Sequence, residues 1–141
     1  MKFRTFLVLI GFIFSTNIVV GEEVPYSFKV NKSIKIIGPF LKKIGQSWSI
    51  EVLEEFVDSE FFVKPVYTKM LARVEDAGKF KGCDSLNVGE PKKGYPDPKT
   101  NVAVAGKCNF ENKMLAVVVF MRVYKNTTKV TGVIIGNSKN T

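Results

Sequence analysis

The 141-residue chain holds two cysteines, Cys83 and Cys108, and the spacing of its apolar residues differs on either side of them. Before Cys83 the apolar residues recur every three or four positions, as on the buried side of amphipathic helices. From residue 101 onward they alternate or run continuously, as in strands. This order of patterns predicts helices first and a sheet second, packed as two layers of an α+β fold.

The N-terminus has the three parts of a secretory signal peptide. Two basic residues precede an apolar run at residues 6–14, and small and polar residues lead up to Gly21. The run is shorter than the ~20 residues that span a bilayer, and an uncleaved anchor is the alternative. We expect cleavage after Gly21, which makes residues 1–21 a signal peptide and residues 22–141 a single secreted domain.

Secretion would place the two cysteines in an oxidising compartment, so Cys83 and Cys108 are predicted to form one intramolecular disulfide. Two free thiols or a disulfide-linked dimer are the alternatives. A bridge that closes a loop of this length contributes roughly 3–4 kcal/mol to stability in the chain-entropy model.

The first half of the mature chain begins with a short extended pattern and a helical one. Residues 24–30 alternate between apolar and polar side chains, which predicts an edge strand or an extended arm. Residues 34–44 place their apolar side chains on one stripe with lysines opposite, which predicts a helix. Gly38 and Pro39 lie inside this pattern, and we expect them to kink the helix or to mark its start.

Two further helices are predicted, at residues 49–58 and at residues 61–76. The apolar face of the second helix lies roughly 160° from that of the first on ideal helix geometry. The chain must therefore turn near residues 45–48. For the last of the three helices, a strand at residues 66–74 is the alternative, because alternate residues there are also apolar.

The second half of the chain has the pattern of an antiparallel sheet. Residues 89–100 are rich in proline, glycine and lysine and are expected to form a surface loop. Three strands, at residues 101–110, 114–124 and 129–136, are joined by short turns and predict an antiparallel meander. The middle one is almost wholly apolar, which predicts a central strand covered on both faces.

Helices packed on such a meander resemble the layout of cystatin-like rolls, which are the nearest general architecture. Residues 102–106, Val-Ala-Val-Ala-Gly, are similar to the inhibitory first hairpin of cystatins, although the glutamine that begins that motif is absent. Protease inhibition is accordingly one candidate function.

Histidine is absent from the whole sequence, which excludes imidazole-based nucleophile activation, acid–base catalysis and metal sites. The two cysteines, once bonded, leave no thiolate zinc site. Glu51, Glu55 and Asp58 share one helix face, and a glycosidase needs two carboxylates around its sugar. These acids lie opposite an apolar stripe, however, and are expected to be a solvated face. We therefore predict no enzymatic activity, no cofactor and no bound metal.

Two groups of residues are candidate sites. Asn31 and Asn126 begin N-glycosylation sequons, which could carry glycans in a secreted protein. The predicted loop at residues 89–100, between the cysteines, holds three lysines and a tyrosine among prolines, and these are the residues expected to contact a partner: Lys92, Lys93, Tyr95 and Lys99. The disulfide is expected to pin the two ends of this loop. The alternative is a surface connection with no binding role.

Charge narrows the choice of partner. Loss of Lys2 and Arg4 with the signal peptide lowers the formal net charge from +8 to +6. The remaining positive charges are too dispersed along the chain for nucleic-acid binding. Acidic protein faces, acidic glycans and anionic membrane surfaces remain suitable.

The sequence thus predicts a small, secreted, basic, non-enzymatic effector or binding protein. It would act in saliva, venom, body fluid or defence secretions, on an extracellular macromolecule such as a receptor, protease or glycan. One alternative is a cationic membrane-active antimicrobial protein, with residues 33–48 as its amphipathic helix. The other is a secreted protease inhibitor.

Overall fold

A computed structural model describes residues 24–91 and 100–138 of the chain. The helices come first: α1 (Tyr26–Ser47), α2 (Ile50–Leu53), a 3₁₀ turn (Ser59–Phe61) and α3 (Lys64–Ala77). The strands follow: β1 (Phe80–Gly89), β2 (Val102–Phe110), β3 (Met114–Tyr124) and β4 (Thr127–Asn137). The strands form one antiparallel sheet in the order β1-β2-β3-β4. The predicted α+β order of helices and sheet is confirmed, whereas the predicted signal peptide, residues 1–21, lies outside the described residues.

Helix α1 begins at Tyr26, so the edge strand or extended arm predicted at residues 24–30 is wrong. The first part of its buried side is formed by Lys29 and Ser33, which are polar, and the apolar stripe starts only at Ile37. Apolar periodicity therefore did not reveal the first two turns.

The helix also continues through Pro39, which is exposed, rather than starting there. A proline ring clashes with the side chain of a preceding helical residue. Gly38 has no side chain, so it reduces that clash and allows the helix to continue.

The predicted turn near residues 45–48 is confirmed. Helix α1 ends at Ser47, and Trp48 adopts a left-handed backbone conformation with φ of 47°, in which its N–H bonds to the Ile44 carbonyl. Gly45, by contrast, lies inside the helix, where the helix touches the sheet. A Cβ on Gly45 would lie 2.9 Å from the Cβ of Phe80 at the start of β1.

The helix predicted at residues 49–58 ends at Leu53, and the prediction is wrong beyond that residue. Val57 pairs in parallel with Val130 of β4 instead. The Asp58 N–H bonds to the Val130 carbonyl at 2.8 Å, and the Val130 N–H bonds to the Phe56 carbonyl at 2.7 Å. Backbone groups that would have extended the helix are therefore used to bind the edge of the sheet.

Asp58 is nearly fully buried and forms an ion pair with Arg122 of β3. Its second role is to accept a hydrogen bond from the Glu60 N–H at 3.0 Å, which begins the 3₁₀ turn. A buried charge needs such a partner, so this pair fixes where the chain crosses the edge of β4.

Helix α3 confirms the third predicted helix and excludes the strand alternative at residues 66–74. Pro65 lies in its first turn, and Gly78 ends it with φ of 87° and hydrogen bonds to the Val74 and Glu75 carbonyls. One side of the helix is buried in the core: Tyr67, Met70, Leu71, Val74 and Ala77.

Strand β1 was missed, so the sheet has four strands rather than the three predicted. Its sequence shows no clean alternation, because the register with β2 shifts at two places, one of them between Cys83 and Ser85. Most of its side chains are polar or glycine. The same strand contains Cys83, directly opposite Cys108, and the predicted disulfide between them is confirmed.

Strand β3 has the predicted bounds, but it is not covered equally on both faces. One face is buried against the helices: Leu115, Val117, Val119, Met121 and Val123. Most residues of the other face are half-buried. The apolar run therefore reflects one core face and one partly covered face of the central strand.

The core lies between the helices and the inner face of the sheet, and α1 supplies its centre. Ile37, Phe40, Leu41 and Ile44 are almost fully buried there. None of the described helices is long and apolar enough to cross a membrane.

Gly45→Ala is expected to lower the free energy of unfolding by about 1–2 kcal/mol, although alanine favours helices, because the new methyl overpacks the contact with Phe80. Urea unfolding is the measurement, and Gln46→Ala, at the next, exposed position, is the matched control. Equal stability of the two variants would show that α1 does not press on β1 at this point.

A Cys83→Ser/Cys108→Ser variant is expected to lose about 3 kcal/mol of stability in the chain-entropy model. It should keep its sheet, because β1 stays paired with β2 on both sides of the bridge. Urea unfolding together with far-ultraviolet circular dichroism measures both effects. Loss of the sheet signal would contradict the expectation.

Candidate functional site

The connection between β1 and β2 contains the predicted partner-binding residues Lys92, Lys93, Tyr95 and Lys99, which lie outside the described residues. Its two ends are described. The last pairs of the two strands at this end are Val88 with Val104 and Gly89 with Ala103. The disulfide is several residues away along both strands, so strand pairing, rather than the disulfide, fixes the ends of the loop.

The outgoing end of the loop is attached to the first turns of α1. The Tyr26 hydroxyl donates to the Val88 carbonyl at 3.0 Å. The Lys29 ammonium lies 3.6 Å from the Glu90 carboxylate. These contacts hold the end of β1 and the residue that follows it against the helix.

The returning end is attached to β3 and β4. The Thr100 and Thr131 hydroxyls, both in buried residues, share a hydrogen bond of 2.7 Å. The Asn101 side chain donates to the Val123 carbonyl at 2.8 Å and accepts from the Val123 N–H at 2.9 Å. These two bonds resemble the hydrogen bonds between paired strands. Hydrogen bonds therefore hold the chain on both sides of the loop.

A concave basic surface lies at the same end of the sheet, between α1 and the β3–β4 turn. It encloses about 510 Å³, and we name it the basic cleft; its lining residues are Lys32, Lys35, Ile36, Lys125, Asn126, Thr127 and Thr128. Three of these are lysines and none is acidic.

The lysines of the basic cleft are poorly neutralised. Within residues 24–91 and 100–138, Lys35 and Lys125 form no ion pair. The Lys32 ammonium lies 5.5 Å from the centre of the Phe28 ring, which orients it without cancelling its charge. The cleft therefore presents an unbalanced positive potential.

Strand directions place the cleft and the two described ends of the β1–β2 loop at one end of the sheet. Because β2 and β3 are antiparallel, the start of β2 and the end of β3 lie at one end of the sheet, and Tyr124 pairs with Thr127 there. The first turns of α1 reach the same end through Tyr26. We use the name basic end for the basic cleft together with the described ends of the β1–β2 loop; the loop lysines Lys92, Lys93 and Lys99 lie outside the described residues.

The two sequons also fall near this end. Asn126 is exposed in the β3–β4 turn and lines the basic cleft. Asn31 is exposed on α1, but the Ser33 hydroxyl of its sequon is buried and donates to the Val30 carbonyl at 2.9 Å. Occupancy of either asparagine stays a prediction.

The carboxylates considered for catalysis are engaged in ordinary contacts. Asp58 is paired with Arg122, and the Glu55 carboxylate lies 3.3 Å from the Lys43 ammonium. A hydrogen bond from the Ser49 hydroxyl lowers the pKa of Glu51, which is opposite to what a general acid needs. The described part of the chain holds no group of three potential metal-ligating residues.

A second concave surface runs between α3 and β4. It consists of two adjoining cavities of about 190 Å³ and 250 Å³ that share Val66, Val133 and Ile134. We name it the α3–β4 groove; its other lining residues are Phe61, Val63, Tyr67, Lys69, Met70, Arg73, Phe120, Thr131, Gly132 and Ile135.

Tyr67, in the floor of the groove, stacks on Phe62 with ring centres 5.4 Å apart. Burial raises the pKa of its hydroxyl to about 12, so Tyr67 is neutral at physiological pH. Lys69 and Arg73 are therefore the charged side chains that line the groove.

Sequence reasoning did not find either concave surface. The lysines of the first helix were predicted to lie opposite its apolar stripe, and Lys35 is exposed there. Lys125 is far away in the chain, and only the tertiary fold brings both residues into the lining of one cleft. The exposed valines of α3 resemble core residues in the sequence. Strand β4 was recognised, yet nothing in its sequence shows that α3 lies along it.

No protein-family model matches this chain, no curated protein matches it, and no solved structure matches it.

Proposed function

We propose that the protein is a secreted, basic, non-enzymatic effector or binding protein that engages an acidic extracellular macromolecule through its basic end. The observation that supports this best is the basic cleft, a concave surface with three lysines and no acidic residue in its lining. An ordinary solvated face mixes both signs of charge, whereas this one does not.

The loop ends support the same proposal. Both ends are held by hydrogen bonds to helices or strands of the core. A segment fixed at its ends loses less conformational freedom on binding, which raises affinity for a given set of contacts. The disulfide is in keeping with export to an oxidising compartment.

The antimicrobial alternative has less support. A membrane-active helix inserts its apolar side into the lipid interface. In α1 that side consists of Ile37, Phe40, Leu41 and Ile44, all packed under the sheet. Insertion would require the core to open.

The protease-inhibitor alternative rests on the cystatin-like layout. What supports it is coarser: a long helix in the first half of the chain and a four-stranded antiparallel sheet in the second. Residues 102–106, however, lie inside β2, where Val102 and Val104 are fully buried. They do not form a hairpin tip that could enter a protease.

The main test compares two triple lysine variants with equal net charge. Lys32→Ser/Lys35→Ser/Lys125→Ser should weaken binding to immobilised heparin or poly-glutamate by about tenfold, since exposed ion pairs contribute roughly 0.5 kcal/mol each. The control, Lys42→Ser/Lys79→Ser/Lys81→Ser, changes exposed lysines outside the basic cleft. Surface plasmon resonance at several salt concentrations is the measurement. An equal loss in both variants would mean that only net charge matters and would contradict the proposal.

A Lys92→Ala/Lys93→Ala/Tyr95→Ala variant tests the loop. We expect a slower association rate and a weaker salt dependence, because these lysines would attract the acidic partner over a distance. Stability should not change, since strand pairs and hydrogen bonds at the ends hold the fold. Stopped-flow association with the same polyanions, with circular dichroism as the folding control, is the measurement. Unchanged rates would remove the loop from the binding surface.

A further inference from the structure

The α3–β4 groove has a concentration of exposed apolar side chains. Five large apolar residues in the described part of the chain are exposed by 45% or more. Three of them meet in this groove: Val63 at 52%, Val66 at 56% and Ile134 at 50%. Single exposed apolar residues are normal, but a contiguous group marks an interaction surface.

The groove is long enough for a short helix. Its lining runs from Val63, just before α3, to Arg73, which corresponds to about 15 Å along a helix axis. The floor is formed by buried residues such as Tyr67, Met70 and Phe120. A rigid floor with exposed apolar edges is the form of groove that accepts an amphipathic helix.

Addition of a strand to β4 is blocked at both ends of the groove. At one end, Val130 is already bonded to the backbone of Phe56 and Asp58. At the other end, the Arg73 guanidinium donates to the Ile135 carbonyl at 2.7 Å. Too few residues remain between these points for a ladder, so an occupant must bind through its side chains.

Charge selects the kind of occupant. Lys69 and Arg73 line the groove, and among the described residues no carboxylate lines it. A second copy of this chain would bring the same two cations against its own, on a molecule whose net charge is positive with or without residues 1–21. A partner with carboxylates beside its apolar residues would bury the exposed valines and would also neutralise the cations.

We propose that the α3–β4 groove binds an acidic amphipathic helix of a partner protein. The apolar side chains of that helix, spaced by three and four residues, would cover Val63, Val66 and Ile134. Its carboxylates would pair with Lys69. This surface is separate from the basic end, and the proposal does not depend on the proposed function.

The experiment uses the full mature chain and synthetic helical peptides of about 14 residues, roughly four turns. One peptide carries leucines at helical spacing with glutamates elsewhere. A second has lysines in place of the glutamates, and a third has the composition of the first in scrambled order. Fluorescence anisotropy measures affinity. The acidic amphipathic peptide should bind at least about tenfold more tightly than the other two.

Matched variants locate the binding. Val66→Ser should lower the affinity for the acidic peptide at least about fivefold, because Val66 is an exposed anchor at the centre of the groove. Ile34→Ser, an exposed apolar residue on α1 outside the groove, is the control and should have no effect. Lys69→Glu should lower the affinity for the acidic peptide and raise the affinity for the basic peptide. None of the three variants should change heparin affinity, whereas the basic-cleft variant should leave peptide binding unchanged.

Four outcomes would overturn the inference: no binding of the acidic peptide, no preference over the basic or scrambled peptide, equal weakening by Ile34→Ser, or no effect of Val66→Ser. Sedimentation analysis gives a further one. Concentration-dependent dimers that disappear in Val66→Ser would assign the groove to a second copy of this chain.

Discussion

The packing of α1 across the inner face of the sheet is the contact on which the rest of the structure depends. Its four apolar residues from Ile37 to Ile44 lie in the centre of the core, and each contributes about 1.5–3 kcal/mol by leaving water. Gly45 brings the helix against Phe80, while Tyr26 at the other end reaches Val88. With both ends of the helix fixed to β1, the lysines on its first turns have one possible location, beside the β3–β4 turn.

Contacts at the edge of β4 determine the course of the chain between α2 and α3. The backbone at Val57 and the ion pair of Asp58 with Arg122 bring the chain to this edge, after which α3 is laid along it. The edge is therefore closed by pairing at one end and by Arg73 at the other. This arrangement suppresses association through the backbone, a common hazard of edge strands. The binding that we propose at this edge would therefore use side chains.

Strong periodic signals made some elements predictable. Helix α3 and strand β3 followed from the spacing of their apolar residues. Strand β1 was not predictable, because it is polar and irregular in register with β2. The first turns of α1 were missed since their buried side is Lys29 and Ser33, and the helix at residues 54–58 was overpredicted because pairing with Val130 competes with it. For the two proposed binding surfaces, single lysines could be noted, but their convergence depends on how segments far apart in the chain pack together.

The position of the disulfide has a consequence for how the protein can change over generations. The bridge and the strand pairs join β1 and β2 directly along most of their length. Lengthening the segment that connects the two strands costs little, because the entropy of closing a loop grows only with the logarithm of its length. Its sequence can be exchanged while the cross-link and the core stay intact. The fold can thus tolerate changes of length and sequence in the connection between β1 and β2.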